Sequence, residues 1–193
     1  MKNITIVGLG ALGSHVVLLA RNWDARLNLI DFDKVEAKNT QAQFHSMMGK
    51  GKTKTKSLGD AMQGLWQRRT YAYPVKLTGE NALQLLGESD LIIDCTDNYE
   101  ARRVIKDFVK AYPKIDCIHG CLSAAGDLAR IIWTEYFIAD KEGSEGQATC
   151  EDGENLPFHA MAASVLAFSV QFFFKTEQKK CFQLTPWAIT RLT

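Results

Sequence analysis

Cysteine is scarce and badly placed for cross-linking. The five thiols (Cys95, Cys117, Cys121, Cys150 and Cys181) are odd in number and form no C-x-x-C pair. That excludes a disulfide framework and argues against a tetrahedral zinc site. The matching expectation is a reducing, cytoplasmic compartment. An excess of charge of one sign is missing too. With 23 Lys and Arg against 22 Asp and Glu, the net charge is +1, so there is no electrostatic case for nucleic acid or an anionic membrane. No repeat and no low-complexity linker interrupts the chain. The first twenty residues are apolar behind Lys2, but three glycines break the run and it continues in phase into a β–α unit. It is therefore not read as a secretory leader. No other run is expected to reach membrane-spanning length. What remains is an ordinary globular composition over 193 residues, enough for a single domain over residues 1–193 with a sizeable core.

The most informative stretch is the start. An apolar strand, Ile4 to Val7, runs straight into Gly8, Gly10 and Gly13, and a helical pattern opens at Ser14. Gly8 permits a tight turn, Gly10 lets backbone approach a phosphate, and Gly13 lets the helix pack close to the strand. The helix N-terminus then offers N–H groups to an anion. A further strand is expected at Leu27–Ile30, ending at Asp31-Phe32-Asp33, followed by a polar loop with Asn39, Gln41 and Gln43. A helix is expected from near Gly51 past Met62, then a strand near Thr70–Tyr73 and a short helix over Glu80–Leu86. Leu91–Asp94 reads as a strand ending at Cys95-Thr96-Asp97-Asn98, and Tyr99–Tyr112 as a helix. Strands Lys114–His119 and Asp127–Trp133 come next. Then follow an irregular, acidic, flexible stretch from Asp140 to Asn155, a long apolar helix Pro157–Lys175 and a short tail. Alternating β and α units imply an α/β fold: a Rossmann-like, doubly wound, mostly parallel sheet with helices on both faces. Ligands in such folds sit at the carboxyl ends of the strands, where Gly8–Gly13, Asp31–Asp33 and Thr96–Asn98 all fall.

An acidic residue about twenty positions past the glycine turn holds a ribose hydroxyl, and Asp31 fits. NAD and ATP are both compatible with that. Asp33 adds more acid than a ribose needs. Gly51-Lys52-Thr53-Lys54 brings a lysine to a phosphate rather than to a nicotinamide. Asp97 ends a strand where a carboxylate can hold Mg²⁺. The combination resembles the ThiF/MoeB/HesA superfamily, the adenylating enzymes that activate ubiquitin-like proteins and sulfur carriers. The resemblance rests on Asp31, Asp33, Val35, Asn39, Gln43 and Phe44, then on Gly51, Lys52 and Lys54. Asp94, Thr96, Asp97, Asn98 and Arg102 extend it, as does Thr149-Cys150 ahead of the long helix. It implies ATP- and Mg²⁺-dependent adenylation of the C-terminal carboxylate of a small ubiquitin-like or sulfur-carrier protein, by a homodimer. By the same resemblance, Gly8, Gly10 and Gly13 form the phosphate turn and Asp31 holds the ribose. Asn39 and Lys54 contact phosphates and the reacting carboxylate, and Asp97 binds Mg²⁺. Gln43, Asp33, Thr96 and Asn98 complete the pocket, and Cys150 takes the activated acyl group.

The sequence departs from the pattern in two places. The family arginine preceding Gln43 is Ala42 here. Relatives also carry a helical segment with a second arginine ahead of the first strand, and this sequence opens on the strand itself. Lys34, Lys38, Lys50 and Lys52 are the nearby cations expected to compensate, and an arginine restored at 42 is expected to raise the rate. Whether Lys52 or Lys54 is the site lysine stays open on sequence, with Lys54 preferred. Cys95, Cys117 and Cys121 read as structural. The histidines show no metal spacing and are assigned no role. The last helix, apolar around Met161, Val165, Phe168 and Phe172, is expected to offer a dimer face. A NAD(P)-dependent Rossmann oxidoreductase, or a non-catalytic protein that binds nucleotide or a partner, remain as alternatives.

Overall fold

The computed structural model describes residues 1–138 and 153–192. Among them, eight strands form one sheet: β1 (Lys2–Val7), β2 (Ala25–Ile30), β3 (Tyr71–Tyr73), β4 (Leu91–Asp94), β5 (Asp116–Leu122), β6 (Ala129–Trp133), β7 (Phe182–Thr185) and β8 (Ala188–Arg191). Their order across the sheet is β3-β2-β1-β4-β5-β6-β7-β8. The strands from β3 across to β5 pair in parallel, and β6, β7 and β8 extend the sheet by antiparallel pairs. The helices are α1 (Gly13–Leu19), α2 (Asn39–Ala42), α3 (Lys54–Trp66), α4 (Ala82–Leu86), α5 (Tyr99–Ala111) and α6 (Leu156–Thr176). This is the doubly wound α/β architecture expected from the alternation of elements.

Successive strand residues point to opposite faces, so the parallel strands feed two cores. Ile4, Ile6, Leu27, Leu29, Leu91 and Ile93 pack with Val16 and Val17 of α1, Leu58 and Met62 of α3, and Leu166 and Val170 of α6. Val7, Ile30, Ile92 and Cys117 pack with Leu86 of α4 and Ile105, Phe108 and Val109 of α5. Each fully buried aliphatic side chain contributes about 1.5–3 kcal/mol. Caps set the helix ends. Thr53 Oγ1 accepts the Lys56 amide at 3.3 Å to start α3, which stops at Gln67 in the left-handed region. Asn98 Oδ1 accepts the Ala101 amide at 2.8 Å to start α5.

Two expectations are corrected. The tail after the last helix is not a tail: Phe182–Thr185 and Ala188–Arg191 form a hairpin that adds two strands to the sheet. All four residues of β8 are exposed, so no apolar alternation marked it. The expectation that no later run reaches membrane-spanning length also fails. α6 has 21 residues and a mean hydropathy of 1.5, long and apolar enough to cross a membrane. In the fold, Phe158, Ala162, Ala163, Leu166, Ala167 and Val170 of that helix are buried in the core beside the sheet.

The winding reverses at β1, whose neighbours are β2 on one side and β4 on the other. Val7 pairs with Ile30 and with Asp94, so the carboxyl ends of the three central strands lie side by side. A crevice opens there, as in other sheets of this winding.

Candidate nucleotide site

The glycine turn is held by close approach. Gly8 has φ +83°, and a Cβ on it would lie 2.8 Å from the Cys95 carbonyl. A Cβ on Gly13 would lie 1.9 Å from the Gly8 oxygen, so α1 sits directly on the turn. Gly10 differs: a Cβ there meets no protein atom within 4 Å. The space beside it faces the crevice, which leaves room for a ligand. Leu9, between these glycines, is held at both ends of its backbone. Its amide donates to Asp31 Oδ2 at 2.7 Å, and its carbonyl lies 3.0 Å from His45 Nε2. Asp31 Oδ1 accepts the Asp33 amide at 2.8 Å. Burial raises the Asp31 carboxyl above its ordinary pKa, opposed by the charge of Lys54 and by the two amides.

The crevice encloses about 620 Å³. Gly8, Gly10, Asp31, Asp33, Asn39, Gln43, Lys54, Thr96, Asp97 and Asn98 line it, so the fold brings ten of the expected residues to one place. Gly13 is not among them; it packs behind the turn. Lys54 is 7% exposed, and its ammonium donates to Asp33 Oδ2 at 2.9 Å. Lys52 turns the other way, to Asp60 at 2.8 Å, where Lys56 also binds at 3.2 Å. Of the two lysines left open by the sequence, Lys54 lines the crevice and Lys52 does not.

Several expected ligand residues spend their side chains on neighbouring groups rather than on the crevice. Asn39 Oδ1 accepts the Glu36 amide at 2.8 Å, Asn98 caps α5, and Thr96 Oγ1 donates to Asp94 Oδ1 at 2.7 Å. Gln43 behaves differently. Its Oε1 is buried without a hydrogen-bond partner among the described residues, an orphaned acceptor in the crevice wall. Of the cations expected to compensate for Ala42, Lys34 and Lys38 line the crevice while Lys50 and Lys52 do not. Lys76, which the sequence reading missed, lines it as well and pairs with Glu100 at 2.8 Å. Ala42 itself is 0% exposed and absent from the lining, on a helix packed against α6. An arginine there would be driven into the core rather than toward a phosphate, so the expected gain in rate from restoring it is withdrawn.

The histidines, assigned no role by sequence, include two buried ones that brace the crevice. His45 Nε2–H donates to the Leu9 carbonyl, and its Nδ1 lies 3.4 Å from Ser57 Oγ. Burial lowers its pKa to about 4. His119 on β5 lies opposite Asp94 on β4 in the sheet register, its Nδ1 2.7 Å from Asp94 Oδ2. Burial alone lowers the His119 pKa; the Cys117 sulfur and the Asp94 carboxylate outweigh it and push it up to about 10. Burial also works against ionising Asp94, yet His119, the Thr96 amide and Arg102 hold its carboxyl below the ordinary value. No spacing rule finds either histidine, because each meets its partner only through strand pairing or a long loop. Burial and then the charge of Asp94 push the Cys95 thiol up, so it stays protonated in the crevice wall. Cys150 lies outside the described residues, as does most of the stretch from Asp140 to Asn155.

Comparison with known proteins matches this geometry. The ThiF family model aligns with residues 1–183. The sulfur carrier protein adenylyltransferase of Thermus thermophilus is 33% identical over 108 residues, covering 54% of this chain and 40% of that protein. The adenylyltransferase and sulfurtransferase UBA4 of Meyerozyma guilliermondii is 28% identical over 157 residues, 77% of this chain and 37% of that protein. The chain thus spans two fifths or less of the length of these curated relatives. Among solved structures, E. coli MccB with ATP superposes over 100% of this chain and 63% of its own, with a TM-score of 0.77 and 18% identity. PaaA superposes over 99% of this chain and 62% of its own, at 0.76 and 17%. These two likenesses establish the fold. With the family model covering nearly all of its length and the glycine turn, D-x-D, G-K-x-K and D-x-T-D-N motifs assembled around one crevice, this chain belongs to the ThiF family.

Proposed function

We propose that this chain adenylates the C-terminal carboxylate of a small ubiquitin-like or sulfur-carrier protein at the expense of ATP. The observation that carries the reading is the convergence of Gly10, Lys54 and Asp97 on one crevice of about 620 Å³ at the sheet's switch point. In this reading the acceptor carboxylate oxygen attacks the α-phosphorus. A C(O)O–P bond forms, the bond from the α-phosphorus to its bridging oxygen breaks, and pyrophosphate leaves with the electron pair. Lys54, held in place by Asp33 before nucleotide arrives, neutralises the charge that develops on the phosphates. The open face at Gly10 admits the phosphate backbone, the orphaned Gln43 Oε1 takes a donor from the nucleotide, and Asp31 keeps free lone pairs for a ribose hydroxyl.

Mg²⁺ belongs to the same reading. Among the described residues no cluster of three or more His, Cys, Asp or Glu side chains is built to cage a metal. The exposed carboxylate of Asp97 at the crevice suits an ion that keeps its waters and shares itself with phosphate oxygens. Such an ion would supply charge neutralisation. Cys150 would take the acyl group in a second step, releasing AMP and leaving a thioester. A homodimer formed through the apolar outer face of α6 and a cytoplasmic location complete the proposal.

Calorimetric titration with ATP, AMP and NAD⁺, with and without Mg²⁺, tests it. The expected result is ATP binding that weakens when Mg²⁺ is chelated. Tight NAD⁺ binding with no response to ATP would overturn it in favour of a nicotinamide cofactor.

A further inference from the structure

A buried chain of hydrogen bonds lies directly beneath the loop that carries Asp97. Asp94 ends β4 and is 1% exposed. Its Oδ1 accepts both the Thr96 amide at 2.9 Å and the Thr96 hydroxyl at 2.7 Å. The other side of Thr96 is held as well: Arg102, 8% exposed, directs Nε and Nη2 at the Thr96 carbonyl at 3.1 and 2.8 Å. The residue that leads into Asp97 is therefore gripped at amide, hydroxyl and carbonyl. What fixes Asp94 is His119, 0% exposed, whose ring stacks on Phe137 with centroids 3.9 Å apart and planes 7° from parallel.

The partners dictate the protons on that ring. The Thr134 hydroxyl, donating to the Cys117 carbonyl at 3.2 Å, presents its oxygen as an acceptor to His119 Nε2, 2.9 Å away, and the Cys117 sulfur lies 3.5 Å from the same nitrogen. Nε2 therefore carries a proton. Nδ1 faces Asp94 Oδ2 at 2.7 Å, and a carboxylate whose other oxygen already takes two donors asks for one more. Nδ1 carries a proton too. With both protons in place, Asp94 and Thr134 each receive a donor from the ring; in a neutral ring Nε2 would have only the weak S–H donor of Cys117, 3.5 Å away.

We propose that His119, donating through both ring nitrogens, is a positioning residue for the metal-binding loop: it clamps Asp94, and Asp94 with Arg102 sets the backbone that presents Asp97 to the nucleotide. The inference rests on the adenylation reading for what Asp97 does, but not for the clamp itself. Residues that orient a metal-binding group from behind act on the metal rather than on the ligand at large. Loss of the clamp should therefore weaken the Mg²⁺-dependent part of ATP binding and spare the rest.

Three measurements on the whole chain decide it. In the wild type at pH 7.5, nitrogen NMR of the His119 ring should show both nitrogens protonated; a neutral ring would overturn the clamp as drawn. His119→Ala should cut the gain in ATP affinity from MgCl₂ by about tenfold or more, while ATP affinity in EDTA keeps its wild-type value. His119→Asn, which restores a donor toward Asp94, should recover the gain to within about threefold. An unchanged Mg²⁺ gain in His119→Ala would overturn the inference. Where His119→Ala fails to fold, Thr134→Val, which removes the outer acceptor of His119 along with the hydroxyl's bond to the Cys117 carbonyl, should shift the Thr96 and Asp97 amide resonances; unmoved resonances would overturn it. A wild-type chain that binds no ATP at all would overturn the adenylation reading, and the amide resonances would still decide the clamp.

Discussion

The ammonium of Lys54 lies 2.9 Å from the carboxylate of Asp33, although the two are 21 residues apart in the chain. The pair joins the start of α3 to the loop after β2 and leaves the lysine 7% exposed in the crevice wall. A long, flexible side chain is thus ordered before any phosphate arrives. Lys54→Ala should lower ATP–pyrophosphate exchange by about 10²–10³-fold, the usual cost of losing one oriented charge donor. Lys54→Arg should recover only part of it, because a planar fork is a poor substitute for a point charge. Lys52→Ala, which breaks only an exposed pair with Asp60, should leave exchange unchanged. Equal loss in Lys52→Ala and Lys54→Ala would contradict the register.

Asp97→Ala should abolish exchange while far-ultraviolet circular dichroism stays that of the wild type, since the carboxylate is exposed at the crevice and carries no core. Cys150→Ala should do the reverse: exchange persists, and any reducible adduct with the acceptor protein disappears, because the thioester needs that sulfur. Exchange retained in Asp97→Ala would remove that residue from the site.

Ala42→Arg is expected to destabilise rather than activate. The site is 0% exposed, and forcing a large charged side chain into it costs about 1–3 kcal/mol from overpacking alone. At about 2–4 °C per kcal/mol for a domain of this size, the melting temperature should fall by several degrees. A variant as stable as the wild type and faster in exchange would show that the helix can turn this position to the crevice.

His45 predicts the response to acid. Its pKa is lowered by burial from 6.5 to about 4 in the folded chain. The unfolded chain therefore binds the proton first, and the stability of the folded chain from the neutral His45 is complete above about pH 6.5. It is lost as the pH falls through that value and is gone near pH 4, a total of roughly 3 kcal/mol. His45→Gln, which keeps a donor for the Leu9 carbonyl, should flatten the urea midpoint between pH 6.5 and 4. An unchanged slope would assign the acid response to other groups.

Phe168 is 59% exposed near the middle of α6, and Met161, Val165 and Phe172 are half-buried on the same helix. Met161 and Val165 already pack against the core, so Phe168 is the side chain that a partner copy would cover in the proposed dimer. Sedimentation velocity at micromolar concentration should give a dimer, and Phe168→Glu should shift it toward monomer. A wild-type monomer would count against the α6 interface.

Much of this molecule was legible in the one-dimensional order of its residues. The strand–glycine–helix opening, the Asp31-Phe32-Asp33 strand end and the Thr96-Asp97-Asn98 strand end announce a doubly wound sheet with a site at its switch point. Each is a local event: a tight turn needs glycine, a strand ends in polar residues, and a helix begins at a cap. Local rules do not carry across the chain. The sequence preferred Lys54 but left Lys52 open; in the fold Lys52 lies in the turn before the Thr53 cap and reaches Asp60, whereas Lys54 opens α3 and reaches Asp33. The sequence made Ala42 look like a gap in a phosphate site, whereas α2 turns that position into the core. It passed over β8, whose exposed residues carry no apolar alternation, and it passed over His119. Asp94 and His119 meet because β4 and β5 pair in one register. A buried hydrogen-bonded pair made by strand pairing between residues 25 apart leaves no periodic mark; only the tertiary structure brings the two together away from water.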